Sequence, residues 1–144
     1  IYEREDFEGS PDRKFVFINQ NEQMMYIFYD GRVIRTIPCS TGVPKPGNRT
    51  PSWTGRVDKF VGTFESYGLW ADYGWLLFYD DGAILIHSAA YKKVDGQKVY
   101  EDLDALGKRP SSHGCIRISP DDAIWFTNWE PEGVLTMITP LTVY

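Results

Sequence analysis

Cysteine and histidine are scarce in this chain, two of each in 144 residues. Two cysteines make no disulfide framework, and without a Cys-x-x-Cys pair there is no sign of dithiol redox chemistry. A Cys39–Cys115 bridge is possible by count, but it would bury the one candidate nucleophile and is disfavoured. His87, His113, Cys39 and Cys115 would suffice in number for a zinc site, yet their spacing matches no standard one. Neither a metal nor any other cofactor is expected. A basic excess is also missing: 15 Lys and Arg stand against 20 Asp and Glu, a net charge of −5. That argues against a general nucleic-acid binder, which needs cations to neutralise phosphates. No apolar run approaches the roughly 20 residues that span a bilayer. No charged-then-apolar leader opens the chain. The first stretch, "IYEREDFEGSPD", is acidic and reads as the end of a linker, so residues 1–13 are taken as an extension and 14–144 as a single domain.

What is present suits one globular domain with its own core: 42% of residues are hydrophobic and 24% charged. No internal repeat or low-complexity stretch is visible. The pattern is rich in strands. "KFVFINQNEQMMYIFYDGRVIRTIPCSTG" holds three apolar or β-branched runs, the last two joined by Asp30-Gly31, a two-residue hairpin signal. "GWLLFYDDGAILIHS" repeats the device with Asp81-Gly82, and "TGRVDKFVGTF" and "GVLTMITPLTVY" also read as strands. Pro and Gly punctuate residues 44–54 as a loop. One helix is plainly written. Ser119 is its N-cap, Pro120 fits the first helical position, and Asp121 and Asp122 complement the positive end of the dipole. It should run through "DDAIWFTNW" and stop before Pro131, with a shorter helical turn expected somewhere in 95–106. The fold class is therefore mainly β, a sandwich or small barrel with one or two flanking helices. Aromatics make up 15%, enough for a thick core and a lined groove.

Chemistry concentrates in "PSSHGCIRISPDD", residues 110–122, where one of the two histidines and one of the two cysteines sit one residue apart. Two readings stand: a reactive thiol beside its base, or a small buried turn with an incidental thiol. A free thiol is only a few percent ionised at neutral pH, so a nucleophilic cysteine needs a base to take its proton and leave an ion pair. A reacting carbonyl needs donors for its developing oxyanion, often backbone N–H groups, and an adjacent glycine permits close backbone approach. Ser112-His113-Gly114-Cys115 can supply those parts. The other histidine, His87, ends the apolar run "GAILIHS". Were residues 83–87 to pair beside 115–118, imidazole and thiol would meet at strand ends. Cys39, in "TIPCSTG", reads as a small core residue.

"IHS" followed by "SHGCIR" resembles the signature of the L,D-transpeptidase catalytic domain of the YkuD type. "YDGRVIRTIPCSTG" looks like that family's strand–turn–strand ending in a Ser-Thr-Gly loop. "TPSWTG" sits at its Thr-Pro-rich loop, and "SPDDAIWFTNWEPEGVLTMI" looks like its helix, Gly turn and final strand. The likeness spans roughly residues 14–139.

The resemblance implies a bacterial enzyme acting on peptidoglycan stem peptides outside the cytoplasm, in the wall or periplasm or as a secreted protein. A cysteine thioester would form on a tetrapeptide stem with loss of D-alanine, and an amine of a second stem would resolve it into a 3→3 cross-link. It also implies covalent capture of carbapenems, with no protein partner expected. Carried over by residue, Cys115 is the nucleophile and His87 the general base, with His113 also placed in the catalytic set. Ser88 would orient His87 through its carbonyl. Gly114, with Cys115, would supply oxyanion N–H groups. Arg117, Ser112, Tyr67 and Trp70 are candidate substrate contacts, Arg117 either holding a carboxylate or supporting the loop. The 24 residues 88–111 exceed the family's usual spacing and read as an exposed flap over the cleft. "TPSWTG" also departs from the compact Thr-Pro-Thr-Gly form. No wall-binding repeat is seen, which places any targeting segment outside this chain. Two alternatives remain: an L,D-carboxypeptidase using water as acceptor, and a non-catalytic peptidoglycan-binding module.

Overall fold

A computed structural model describes residues 13–143; the segment read as a linker thus lies, but for Arg13, outside the described residues. The chain opens as a meander of β1 (Lys14–Asn19), β2 (Met24–Tyr29) and β3 (Arg32–Ser40). Burial alternates strictly along β1 and β2, the period-2 signature of strands with one face on a core. Asp30 and Gly31 both take positive φ (52° and 81°), as the tight turn between β2 and β3 requires. Then come β4 (Trp53–Arg56), β5 (Phe60–Ser66), β6 (Leu69–Tyr79), β7 (Ala83–Ser88), β8 (Tyr91–Val94) and β9 (Gln97–Tyr100). A 3-10 turn at Leu103–Ala105, β10 (Ile116–Ile118), helix α1 (Pro120–Asn128) and β11 (Leu135–Ile138) complete the fold.

The strands form one hydrogen-bonded path, β4-β11-β1-β2-β3-β10-β7-β6-β8-β9, with β5 on β6. The pairs β1–β11 and β7–β10 are parallel, the rest antiparallel. β3 belongs to both halves, pairing β2 on one side and β10 on the other. Val16, Ile27 and Ile37 from the first half and Leu77, Ile86 and Ile116 from the second join one buried cluster, so the two halves share their inner faces as a sandwich does. The mainly β class with a flanking helix is what the structure shows. Helix α1 is capped as its sequence specifies. Ser119 Oγ accepts from the Asp122 N–H at 3.0 Å, Pro120 is the first helical residue, and Ala123 and Phe126 turn one face inward against β6 and β7.

Two expectations need correction. "TGRVDKFVGTF" splits between β4 and β5, which lie in different halves. The crossing is held by Val57, whose N–H donates to Val134 O, and by Asp58, whose N–H donates to Leu76 O. The helical turn expected over 95–106 is only the three-residue 3-10 turn, and residues 97–100 are strand. Asp95 and Gly96, with φ of 51° and 76°, carry the same Asp-Gly hairpin signal as the two turns upstream and join β8 to β9. The supposed flap is thus a hairpin with a fixed base: Ala89, Ala90 and Tyr91 are buried and Tyr91 pairs with Trp70 on β6. Its tip, Lys92–Lys98, is exposed.

Candidate active site

The parallel pairing of β10 with β7 sets Ile116 opposite Ile86, Arg117 opposite His87, and Ile118 opposite Ser88. Alternate residues of a strand share a face. His87 and Arg117 therefore point the same way, with Cys115, just ahead of β10, in line with Arg117. All three line one cleft of about 640 Å³. The Cys115 thiol lies at the edge of β7, where Sγ accepts from the Leu85 N–H at 3.4 Å and stands 3.6 Å from Ala83 O. Tyr67, Trp70, Ser112 and His113 line the same cleft, whereas Ser88 and Gly114 act from behind its wall.

His87 is 5% exposed. Its Nδ1 lies 2.5 Å from the Ser88 carbonyl; a carbonyl only accepts, so Nδ1 carries the proton and Nε2 keeps its lone pair. Phe64 meets the ring edge-on at 5.2 Å. Burial, aided by the Arg117 charge and opposed by the Ser88 contact, lowers the His87 pKa to about 4. Burial raises the Cys115 pKa, and neither the Leu85 N–H nor Arg117 offsets it. Both shifts favour the neutral forms, a thiol and an imidazole, over the ion pair. Cys39, wholly buried and likewise free, has its pKa driven far up by desolvation and belongs to the core.

The turn carrying Cys115 is held by hydroxyls. Ser112 Oγ donates to Cys115 O at 2.5 Å and accepts from the Gly114 N–H at 3.1 Å. That hydroxyl is engaged within the turn, and the Gly114 N–H, expected to face an oxyanion, is engaged with it. Gly114 has φ of 139°, a conformation side chains resist, and an added Cβ would sit 3.1 Å from Ile84 Cδ1. Beneath lies a layer the sequence did not single out. Thr50 Oγ1 donates to Gly114 O at 2.6 Å and accepts from the Gly42 N–H at 2.8 Å. Thr41 O accepts from the N–H groups of Ser111 and Ser112, and Gln23 bonds both the Thr41 N–H and its hydroxyl. The only signals for these groups were the Ser-Thr-Gly and "TPSWTG" stretches, noted as landmarks without a task.

His113 is exposed and stacks on Tyr67, ring centroids 4.1 Å apart and planes at 12°. That contact joins the turn carrying Cys115 to the β5–β6 turn at the cleft rim. Trp70 carries Lys93 of the β8–β9 hairpin over its ring at 4.3 Å. Arg117 is 6% exposed; Nη1 reaches Asp102 and Ser111 at 3.4 Å each, while Nε has no partner. Asp72 anchors the hairpin: its carboxylate accepts from Tyr91 at 2.7 Å, Lys98 at 2.7 Å and Thr63 at 2.8 Å, and its N–H donates to Ser88 Oγ at 2.9 Å. A thiol and an imidazole of fixed tautomer on one wall of an open cleft, with backbone amides beside the thiol, can carry out acyl transfer.

Comparison with known proteins shows what the chain is similar to. The family model of YkuD, the L,D-transpeptidase catalytic domain, matches residues 13–142. YciB of Bacillus subtilis (strain 168), provisionally named an L,D-transpeptidase, is 30% identical over 129 residues, covering 87% of this chain and 65% of the relative. An L,D-transpeptidase from Mycobacterium smegmatis superposes with a TM-score of 0.71 at 21% identity, over 88% of this chain and 58% of its own. The LD transpeptidase LdtMt1 in complex with imipenem gives 0.71 at 22%, over 89% and 59%. L,D-transpeptidase 3 of Mycobacterium tuberculosis in complex with a faropenem-derived adduct gives 0.65 at 20%, over 88% and 60%. The chain thus spans under two thirds of the length of each of these relatives.

Proposed function

The chain belongs to the YkuD family of L,D-transpeptidase catalytic domains, and from that premise we propose that it cross-links peptidoglycan stem peptides through a thioester on Cys115. The observation that carries this reading is the pairing of β7 and β10, which turns His87 and the Cys115 thiol into one cleft with His87 Nε2 free to accept a proton. The donor is a tetrapeptide stem. His87 takes the Sγ proton as sulfur attacks the carbonyl of the third residue, and the oxygen gathers negative charge beside the Cys115 N–H. Collapse breaks the peptide bond. His87 returns the proton to the departing D-alanine amine, leaving the thioester. An amine of a second stem then attacks, His87 takes its proton, and the thiol is regenerated with a 3→3 link formed.

A neutral resting pair fits this order of events. An exposed thiolate would meet solvent electrophiles, whereas here the proton moves only as the C–S bond forms. Arg117, buried with an unpartnered Nε, supplies positive charge to the cleft and is the candidate holder of a donor carboxylate. Tyr67, His113 and Trp70 form the wall against which the stem lies. Such a substrate places the protein outside the cytoplasm. The β-lactam complexes of the relatives make carbapenem acylation of Cys115 the expected inhibition.

The test is mass spectrometry of products from a purified disaccharide-tetrapeptide. A dimer lacking one D-alanine supports the proposal. Tripeptide alone would assign a carboxypeptidase, and no product from a protein whose Cys115 resists alkylation would assign a binding module.

A further inference from the structure

We propose that Thr50 is a positioning residue for the oxyanion: its hydroxyl holds the Gly114–Cys115 peptide so that the Cys115 N–H faces the acyl donor. This rests on the acyl-transfer reading above and adds to it a residue outside the His–Cys signature. The direction of the proton is unambiguous. The Gly42 N–H can only donate and the Gly114 carbonyl can only accept, so Thr50 Oγ1 receives the first at 2.8 Å and gives its hydrogen to the second at 2.6 Å. Thr50 is 1% exposed, and its own carbonyl is gripped by Gln20 Nε2 at 2.8 Å. The hydroxyl is therefore bonded on both sides within a buried frame.

The Gly114 carbonyl and the Cys115 N–H belong to one planar trans peptide and point in opposite directions. Fixing one end fixes the other. This peptide needs fixing, because Gly114, at φ 139°, has a freedom other residues lack. The neighbouring amide cannot replace it, since the Gly114 N–H is engaged with Ser112 Oγ. The N–H of Cys115 itself lies on the residue that carries the thiol. A hydrogen bond to the carbonyl also polarises the peptide and strengthens its N–H as a donor.

The experiment compares Thr50→Val, which keeps the shape and loses the hydroxyl, with Thr50→Ser, which keeps the hydroxyl. Two probes of Cys115 are used. p-Nitrophenyl acetate acylates it: the C–S bond forms, charge passes through the carbonyl oxygen, p-nitrophenolate leaves, and the thiol proton goes through His87 to water. Iodoacetamide alkylates the same sulfur by displacing iodide and needs no oxyanion. Thr50→Val should lower the acylation rate at least ~10-fold while alkylation stays within about twofold, and Thr50→Ser should recover acylation. Equal losses with both probes would make Thr50 a purely structural residue and overturn the proposal, as would unchanged acylation in Thr50→Val. The carbonyl ¹³C shift of Gly114 should move in Thr50→Val and return in Thr50→Ser; a stationary shift would also overturn it. Imipenem is run in parallel. A wild-type protein that p-nitrophenyl acetate acylates but imipenem does not would count against the transpeptidase reading alone, with the ester ratio still deciding the role of Thr50.

Discussion

His87 and Arg117 face each other in register across the parallel β7–β10 ladder, so a permanent cation stands beside the imbalance on which the chemistry depends. Its charge lowers the pKa of His87 and that of Cys115 alike. At the thiol it favours the reactive form; at the imidazole it opposes the protonated one.

Replacing that cation separates the two effects. Arg117→Met should move the pH dependence of iodoacetamide alkylation at Cys115 to higher pH, because the thiolate loses its nearest positive charge. At pH 8 the rate should drop by up to ~10-fold, equivalent to one pKa unit. In the wild type the rate should keep climbing above pH 9, since burial raises this pKa. A plateau below pH 8 would show a thiolate already formed at rest, contrary to a thiol whose pKa burial raises.

His87 should also appear in the pH dependence of stability. Above pH 6.5, its ordinary pKa, the imidazole is neutral in both folded and unfolded chains and contributes no difference. Between pH 6.5 and about 4, its folded value, the unfolded chain takes up a proton that the folded one refuses. Stability is therefore lost as pH falls through that window, by at most about 3 kcal/mol at 1.36 kcal/mol per pKa unit. Urea unfolding at pH 7 and pH 4, in wild type and His87→Gln, isolates the term because the carboxylates are common to both. The variant should lose less stability over the interval; parallel losses would deny His87 its lowered pKa.

Some of this was legible in the sequence, and the rest was hidden for identifiable reasons. Asp-Gly turns and a complete helix cap carry their geometry locally, so the β2–β3 and β6–β7 hairpins and α1 could be read directly. The β8–β9 hairpin has the same Asp-Gly turn, but its strands are four residues each with four lysine and glutamine side chains among them, and their polarity masked it. β10 is three residues, all buried, with no alternation to mark it; the pairing of 115–118 beside 83–87 was legible only through the need to bring thiol and imidazole together, and the β7–β10 ladder bears it out. Thr50 is harder still: its partner Gly114 lies 64 residues away, and no local pattern marks a hydroxyl that acts at that distance. The His–Cys pair was legible because the chain offers so few histidines and cysteines to combine.

The hairpin anchor sorts two partners of one carboxylate. Asp72 is buried and bonded to three side chains, and although desolvation pulls its pKa up, the bonds to Lys98, Tyr91 and Thr63 hold it below its ordinary value. Lys98 is half exposed, so its ion pair should be worth no more than about 1 kcal/mol. Asp72→Ala leaves the Tyr91 hydroxyl without its partner and should cost about 2–3 kcal/mol. The order Asp72→Ala well above Lys98→Met in urea unfolding is the expected result. Proteolysis at the Lys92–Lys98 tip should quicken more in the first variant than in the second.

The stack of Tyr67 on His113 sets a different kind of expectation, because it touches neither the sulfur nor His87. Tyr67 sits in the β5–β6 turn with φ of 56° and is 72% exposed, so little of the core depends on its ring. A stacked aromatic pair contributes about 0.5–1.5 kcal/mol beyond the area it buries. Losing it frees His113 and opens one side of the cleft without disturbing the thiol. Tyr67→Ala should leave the melting temperature within a few degrees and the iodoacetamide rate unchanged. The loss should fall on recognition: KM for the tetrapeptide donor should rise several-fold, with kcat much less affected. A fall in kcat with KM unchanged would instead place the Tyr67 ring on the reacting group, and His113 with it.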